Sequence, residues 1–245
     1  MKLFLGFFFA LLISAHFFPP VTAFAGDFST REIIGFSSDG NTFAFEEYGI
    51  QDGSGFAYST IYAIDTRTDE WLPGSPFKVQ SDDEIISLDD IRTKSKTAAA
   101  NILATITEPG TLNATNQPLE VVDNPLRMTA RPWHFTPPTS ERIEFRIEPI
   151  AMQGQSYCAD FGQVFGFRLT RTAMKVGETT TLLHEDKQIP KSRGCPLRYR
   201  FADIVTHRVE QTGDLATAIL VLYETVGFEG PDGRYLAVTT RLPAN

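Results

Sequence analysis

The chain of 245 residues is poor in the residues on which several protein classes depend. Its two cysteines are too few for a mini-protein built on disulfides or for a zinc domain with cysteine ligands. Basic residues number 22 against 30 acidic ones, and the resulting net charge of -8 argues against a nucleic-acid partner. With 42% hydrophobic residues, the chain is too apolar to be disordered. A globular protein remains.

The N-terminal segment has the features of an export signal. Lys2 is the only charged residue among the first 25, an apolar run covers residues 3–18, and Ala23-Phe24-Ala25 places small residues before Gly26. This order predicts a signal peptide over residues 1–25. The apolar run is shorter than the roughly 20 residues of a membrane-spanning helix, so we expect no membrane anchor after cleavage. Residues 26–245 are then expected to form a single β-rich domain, secreted or periplasmic.

Export would place the two cysteines in an oxidising compartment. Only one intramolecular pairing is possible, Cys158 with Cys195. Closing that loop stabilises a fold by about 4 kcal/mol in the chain-entropy model. A reactive thiol is usually marked by C-x-x-C or a nearby histidine, and neither is present. The sequence therefore predicts a structural disulfide.

Alternating apolar and polar residues predict a mainly β fold of antiparallel sheets. The predicted strands cover residues 31–36, 42–47, 60–64, 142–147, 165–170, 179–184, 198–208, 215–225 and 234–242. The first three form a β-meander around the turn containing Asp39-Gly40. A similar order of strand, loop and strand recurs at 218–239, which suggests two pseudo-repeated halves. The run 216–223 is apolar on both faces and predicts a central strand.

One substantial helix is predicted around residues 87–106. Ser87 and Asp90 have the spacing of a capping box, and apolar residues follow at helical spacing. The polar residues 110–124 are expected to form an exposed loop. Because residues 36–65 look like one propeller blade, a degenerate β-propeller is the alternative fold.

Six segments carry a family resemblance: residues 36–40, 43–49, 51–55, 73–76, 190–196 and 227–232. On these segments the chain resembles a bacterial family of predicted secreted proteins with a domain of unknown function. The likeness spans nearly the whole mature chain. It implies export and a common fold, and it implies no activity, cofactor or catalytic residue.

Catalytic and metal-binding motifs have little support. Gly53-Ser54-Gly55 lacks the spacing of G-x-S-x-G, and the S-x-x-K match at Ser75 has no K-T-G or S-D-N partner. His134, His184 and His207 lie far apart in sequence, without a metal-binding pair. Acidic residues could hold Ca²⁺, but they lack D-x-D-x-D-G spacing. They are Asp39, Glu46, Glu47 and Asp52 of the first meander, with Glu229 and Asp232 of the similar later loop. We predict no metal and no cofactor.

The two Gly- and Asp-rich loops, residues 48–58 and 227–233, are the best candidates for recognition. Their aromatic rings can stack on a sugar or a peptide, and their polar side chains can anchor it. The candidate ligand-binding residues are Tyr48, Gln51, Asp52, Phe56, Tyr58, Glu229 and Asp232. The favoured hypothesis is a non-catalytic envelope or secreted module that binds a protein, peptide or glycan. Alternatively, these aromatics only complete the core.

A second hypothesis belongs to a different class. Carboxylates at Glu46, Asp52 and Glu229 could support a hydrolase acting in the periplasm or outside the cell, since a pair of carboxyls suffices for glycoside hydrolysis. That hypothesis requires the three side chains to share a cleft.

Overall fold

The computed structural model describes residues 26–132 and 142–243. The predicted signal peptide, residues 1–25, lies outside these ranges, and its assignment stays a prediction. So does His134. The strands are β1 Thr30–Ser37, β2 Thr42–Ile50, β3 Ala57–Asp65, β4 Glu70–Trp71, β5 Phe77–Gln80, β6 Ile106–Glu108, β7 Thr111–Thr115, β8 Arg127–Ala130, β9 Ile143–Met152, β10 Val164–Thr172, β11 Thr181–Glu185, β12 Pro196–Arg208, β13 Leu215–Val226 and β14 Pro231–Leu242. The helices are α1 Leu88–Ala98 and α2 Ala100–Leu103, with short 3₁₀ helices at Ser156–Phe161 and Lys191–Arg193.

The described strands form three antiparallel sheets. The front sheet has the order β4-β3-β2-β1-β6, with β5 also paired to β3. The central sheet has the order β14-β13-β12-β7, and the back sheet β11-β10-β9-β8. The predicted mainly β, antiparallel fold is confirmed. The propeller alternative is not.

The central sheet packs against the other two sheets, one on each face. Phe43 and Phe45 of the front sheet pack against Leu220 of β13. Phe145 and Phe167 of the back sheet belong to the other core, together with β13 residues of the opposite parity such as Ile219. Because successive strand residues point to opposite faces, a strand buried on both sides needs apolar residues throughout. The prediction of a central strand at 216–223 is therefore confirmed.

The two segments with similar patterns are both antiparallel hairpins, but they lie in different sheets. The first forms β2 and β3, with Phe45 opposite Tyr62. The second forms β13 and β14, with Leu222 opposite Tyr235. The back sheet is not part of this repeat. It forms a third layer beside the front and central sheets.

The helix begins where the capping box predicts and ends earlier than expected. Ser87 Oγ accepts the Asp90 N–H at 3.1 Å, and α1 packs on the outer face of the front sheet through Ile91 and Ser95. At Ala99 the backbone leaves helical geometry, with φ -88° and ψ 1°. After the short α2, residues 106–108 pair with β1 as a strand. The loop prediction for 110–124 is wrong at its start, since β7 pairs with β12.

The predicted disulfide is confirmed. Cys158 and Cys195 are bonded, with their Cα atoms 5.5 Å apart, and both are buried. The bond connects the 3₁₀ helix between β9 and β10 to the residue before β12. It therefore fastens the back sheet to the central sheet.

Candidate ligand cleft at the edge of the central sheet

A cleft opens where the edges of the three sheets meet. Its volume is about 530 Å³, within the range of roughly 300–1,000 Å³ typical of ligand sites. Strand β14 lies on one side, with β3, β4 and β5 of the front sheet and β11 of the back sheet around it. The lining includes Glu47, Gln51, Tyr58, Tyr62, Asp69, Trp71, Lys78, His184, Arg193, Tyr223, Arg234 and residues 235–238.

Glu47 enters the cleft because of strand alternation. It shares the inner face of β2 with Phe43 and Phe45, and it is 5% exposed. Its Oε2 accepts the backbone N–H of Tyr235 at 2.6 Å, and its Oε1 accepts the Tyr62 hydroxyl at 3.3 Å. Burial disfavours the ionised form and raises the pKa of Glu47 to about 7.

Asp69 places a second carboxyl beside the same strand. Its φ of 59° is in the left-handed region, which Asp tolerates better than most residues. In this position its Oδ1 accepts the Thr239 N–H at 2.7 Å and the Thr239 hydroxyl at 3.0 Å. Burial raises the pKa of Asp69. Both cleft carboxyls thus bind outward N–H groups of β14.

Arg234 and Tyr58 line the cleft, and both are held by Asp27. The Arg234 guanidinium lies 5.1 Å from the centre of the Tyr58 ring and donates to Asp27 Oδ2 at 2.6 Å. The Tyr58 hydroxyl donates to Asp27 Oδ1 at 3.1 Å. Burial raises the pKa of the Tyr58 hydroxyl well above its ordinary value. Tyr58 therefore stays neutral as a hydrogen-bonding group.

The wall contributed by the back sheet and its connections carries His184 and Arg193, held by Asp186. The His184 Nε2 lies 3.0 Å from Asp186 Oδ1, and Arg193 forms an ion pair with the same carboxylate. On the opposite wall, the exposed Lys78 makes no ion pair with a carboxylate of the described residues. With Arg234, the lining has four basic side chains against the two carboxyls of Glu47 and Asp69. Asp186 engages both His184 and Arg193, and Asp27 engages Arg234, so of these four side chains Lys78 alone has no ion pair in the described residues.

The predicted ligand residues are divided between two places. Gln51 and Tyr58 line the cleft. Tyr48 faces the helix side of the front sheet, where the Arg92 guanidinium lies 3.7 Å from its ring centre. Phe56 is half-buried, and Glu229 is exposed. Neither Tyr48 nor Phe56 is fully buried in the core.

The two Gly- and Asp-rich loops converge, and they meet at Gly53 and Phe228. A Cβ atom on Gly53 would lie 3.2 Å from the Phe228 ring, and Phe228 is 80% exposed. Asp232 accepts the Asp27 N–H at 3.2 Å, and burial, with a smaller effect of the Asp52 charge, raises its pKa. The Asp52 Oδ2 atom is buried without a hydrogen-bond partner among the described residues.

The carboxylates of the hydrolase hypothesis do not line the cleft. Glu46 lies on the opposite face of β2 from Glu47 and is bound by Arg92 at 2.8 Å and Ser59 at 2.9 Å. Asp52 and Glu229 belong to the converging loops. Strand alternation therefore separates Glu46 from the other two.

Sequence reasoning considered Glu47 only as a Ca²⁺ ligand, and it missed Asp69 and Arg234. One signal was present for Glu47, since it continues the inward series of Phe43 and Phe45, where a carboxyl is unusual. Asp69 and Arg234 gave no comparable signal, because their partners lie about 170 and 207 residues away in sequence. In residues 26–132 and 142–243, no group of three His, Cys, Asp or Glu side chains could hold a metal ion.

Fold and cleft together define a layered antiparallel β protein with a polar cleft at a sheet edge. The sequence model of the family described as "Predicted secreted protein (DUF2259)" matches residues 44–241. The chain belongs to this family, and the predicted location outside the cytoplasm is confirmed by it. No curated protein and no solved structure matches the chain. None of the helices in the described ranges is long and apolar enough to cross a membrane.

Proposed function

We propose that this secreted protein is a non-catalytic binding module that holds a segment of a peptide or glycan in the cleft at the edge of β14. The observation that carries this proposal is the lining, which combines aromatic rings with basic side chains. Trp71 is 52% exposed at the rim, and Tyr62 lies 6.1 Å from it between ring centres. Such rings supply contact area at low conformational cost, and the charged groups fix orientation.

The spacing of the two cleft carboxyls favours binding over hydrolysis. Glu47 and Asp69 accept N–H groups four residues apart on one strand, at Tyr235 and Thr239. At the strand rise, these N–H groups are about 13 Å apart. Carboxyl pairs of glycosidases are separated by roughly 5–9.5 Å. Each carboxyl is also engaged by the backbone, which suits a structural position at the border of a binding site.

The converging loops extend the same surface. Gln51 lines the cleft and accepts the Gln80 side-chain amide at 2.7 Å. Two residues further along, Gly53 meets the exposed Phe228. A ligand longer than the cleft would reach this pair of loops, so the loop hypothesis and the cleft describe one continuous site.

The test is a binding screen against two ligand arrays, one of blocked pentapeptides and one of bacterial envelope oligosaccharides. We expect hits in one array, with affinity reduced at least tenfold by Trp71→Ala or Lys78→Glu. Lys94→Glu is the matched control, because it reverses an exposed lysine on α1, away from the cleft. Absence of hits in both arrays, or hits whose affinity is unchanged by both cleft variants, would contradict the proposal.

A further inference from the structure

We infer that the cleft takes an extended peptide, which adds a short strand to the free edge of β14 opposite Ala237. This inference rests on the proposed function and names its ligand class. Edge strands carry unpaired N–H and C=O groups, and peptide-binding domains use them to pair with extended ligands.

The orientation of the backbone at Ala237 follows from the pairing of β14. Its register with β13 is continuous from Pro231 to Leu242. The N–H groups of Gly233, Tyr235 and Thr239 point away from β13, since they donate to Asp27 O, Glu47 and Asp69. In an antiparallel pair this direction alternates along the strand. The N–H of Ala237, the odd position between them, therefore also points away from β13.

Of the four outward N–H groups in this series, the one of Ala237 is open to a ligand. It lines the cleft and is only partly buried. Because it points away from β13, its N–H takes no part in the pairing of β13 with β14, and no other hydrogen bond to it is found in the described part of the chain. Its neighbours on the same edge are occupied by Glu47 and Asp69. The two occupied N–H groups are about 13 Å apart, so the open segment between them can pair with the central two or three residues of an extended peptide.

The same edge already accepts an added segment at one end. Phe28 forms a parallel bridge with Gly233, in which the Ser29 N–H donates to Gly233 O at 3.0 Å and Gly233 N–H to Asp27 O at 2.9 Å. Strand addition to β14 is therefore compatible with the surrounding sheets.

The walls of the cleft specify the side chains of the peptide. The Ala237 side chain packs toward the front sheet, so the peptide residue opposite it faces Tyr62 and Trp71. The adjacent peptide residues point to the other wall, where His184 and Arg193 lie. We therefore expect an apolar or aromatic residue flanked by acidic ones. Arg193 has five N–H donors, and the hydrogen bonds found for it in the described residues, to Asp186 and Tyr199, both use Nη1. Its other donors remain for an acidic residue of the peptide.

The experiment uses N-acetylated pentapeptide amides with Leu, Phe or Tyr at the centre and Glu or Asp on either side. Binding is measured by calorimetry, with envelope oligosaccharides in parallel. We expect peptides to bind, and N-methylation of the central residue to weaken binding at least tenfold by removing its donor to Ala237 O.

On the protein side, Ala237→Pro removes the outward N–H without removing a bond to β13, because proline is tolerated on a strand edge when its N–H side faces outward. We expect at least a tenfold loss, whereas Ala237→Gly, which keeps the N–H, changes affinity less than threefold. If Ala237→Pro fails to fold, the comparison of the N-methylated and unmethylated peptides on the unmodified protein decides whether the peptide pairs with β14.

The outcomes separate this inference from the proposed function. Failure of every peptide, with or without oligosaccharide binding, overturns the inference. Oligosaccharide binding that depends on Trp71 would leave the binding module intact and refute only the peptide. Peptides that bind equally well with and without N-methylation would refute pairing with β14.

Discussion

Replacing Glu47 by glutamine removes a buried carboxyl whose ionisation opposes folding. Burial raises the pKa of Glu47 from the ordinary 4.5 to about 7. Between these values the unfolded chain has lost this proton and the folded chain keeps it. Stability linked to a raised pKa is fully present below the unfolded value and is lost as the pH rises through the folded value. Ionisation of Glu47 should therefore destabilise the protein between about pH 4.5 and 7.

The size of the effect follows from the shift. At 1.36 kcal/mol per pKa unit, the whole titration changes the free energy of unfolding by about 3 kcal/mol, and the interval from pH 5 to pH 8 contains about 2.5 kcal/mol of it. Glutamine has the same shape and can still accept the Tyr235 N–H. The variant Glu47→Gln should therefore lack this pH-dependent loss of stability.

The assay is urea denaturation of both proteins at pH 5 and pH 8 with the disulfide intact. The free energy of unfolding of Glu47→Gln, relative to the unmodified protein, should rise by about 2.5 kcal/mol from pH 5 to pH 8. Glu46→Gln is the matched control on the opposite face. Burial opposes its ionisation, but hydrogen bonds from Arg92 and Ser59 outweigh this and lower the pKa of Glu46. The stabilising effect of ionised Glu46 is lost only at more acidic pH. The difference in the free energy of unfolding between Glu46→Gln and the unmodified protein should therefore be the same at pH 5 and pH 8. If the difference between Glu47→Gln and the unmodified protein were also the same at pH 5 and pH 8, the reasoning would be refuted.

Two further predictions concern stability. Cys158→Ser should lower the free energy of unfolding by about 4 kcal/mol, measured by urea denaturation, because the loop closed with Cys195 becomes free in the unfolded chain; a loss below 1 kcal/mol would contradict this. Arg31→Met should cost about 3–5 kcal/mol, because it leaves the buried Asp203 without its partner. The double variant with Asp203→Leu should recover part of that loss, and no recovery would argue against a buried unpaired charge.

Local patterns were sufficient to predict most of the elements. The alternation of residues 42–47 and 60–64 fixes which side chains share a face, and Asp39-Gly40 fixes the turn between β1 and β2. The capping box located the start of α1 for the same reason, since its hydrogen bond joins residues three apart. Two cysteines left one pairing to consider.

The arrangement of the sheets and the cleft could not be predicted, because their contacts join distant parts of the chain. Residues 106–115 form two short strands because β1 and β12 offer edges to them, and tertiary pairing overrides their loop-like composition. Likewise, Glu47 meets Tyr235 across 188 residues. The ligand residues chosen from the sequence shared one loop composition, and alternation then placed Tyr48 and Tyr58 on opposite sides of the front sheet.

The edge of β14 connects the stability of this fold with the function proposed for it. Proteins usually protect a sheet edge with lysine, proline or a short strand, at little energetic cost. Here two of the outward N–H groups are instead bound by Glu47 and Asp69, whose raised pKa values show that burial disfavours their charge. Protection alone does not require such carboxyls, and it does not explain the open position at Ala237 between them. A costly arrangement that leaves one strand position free is expected where the edge serves as a binding site.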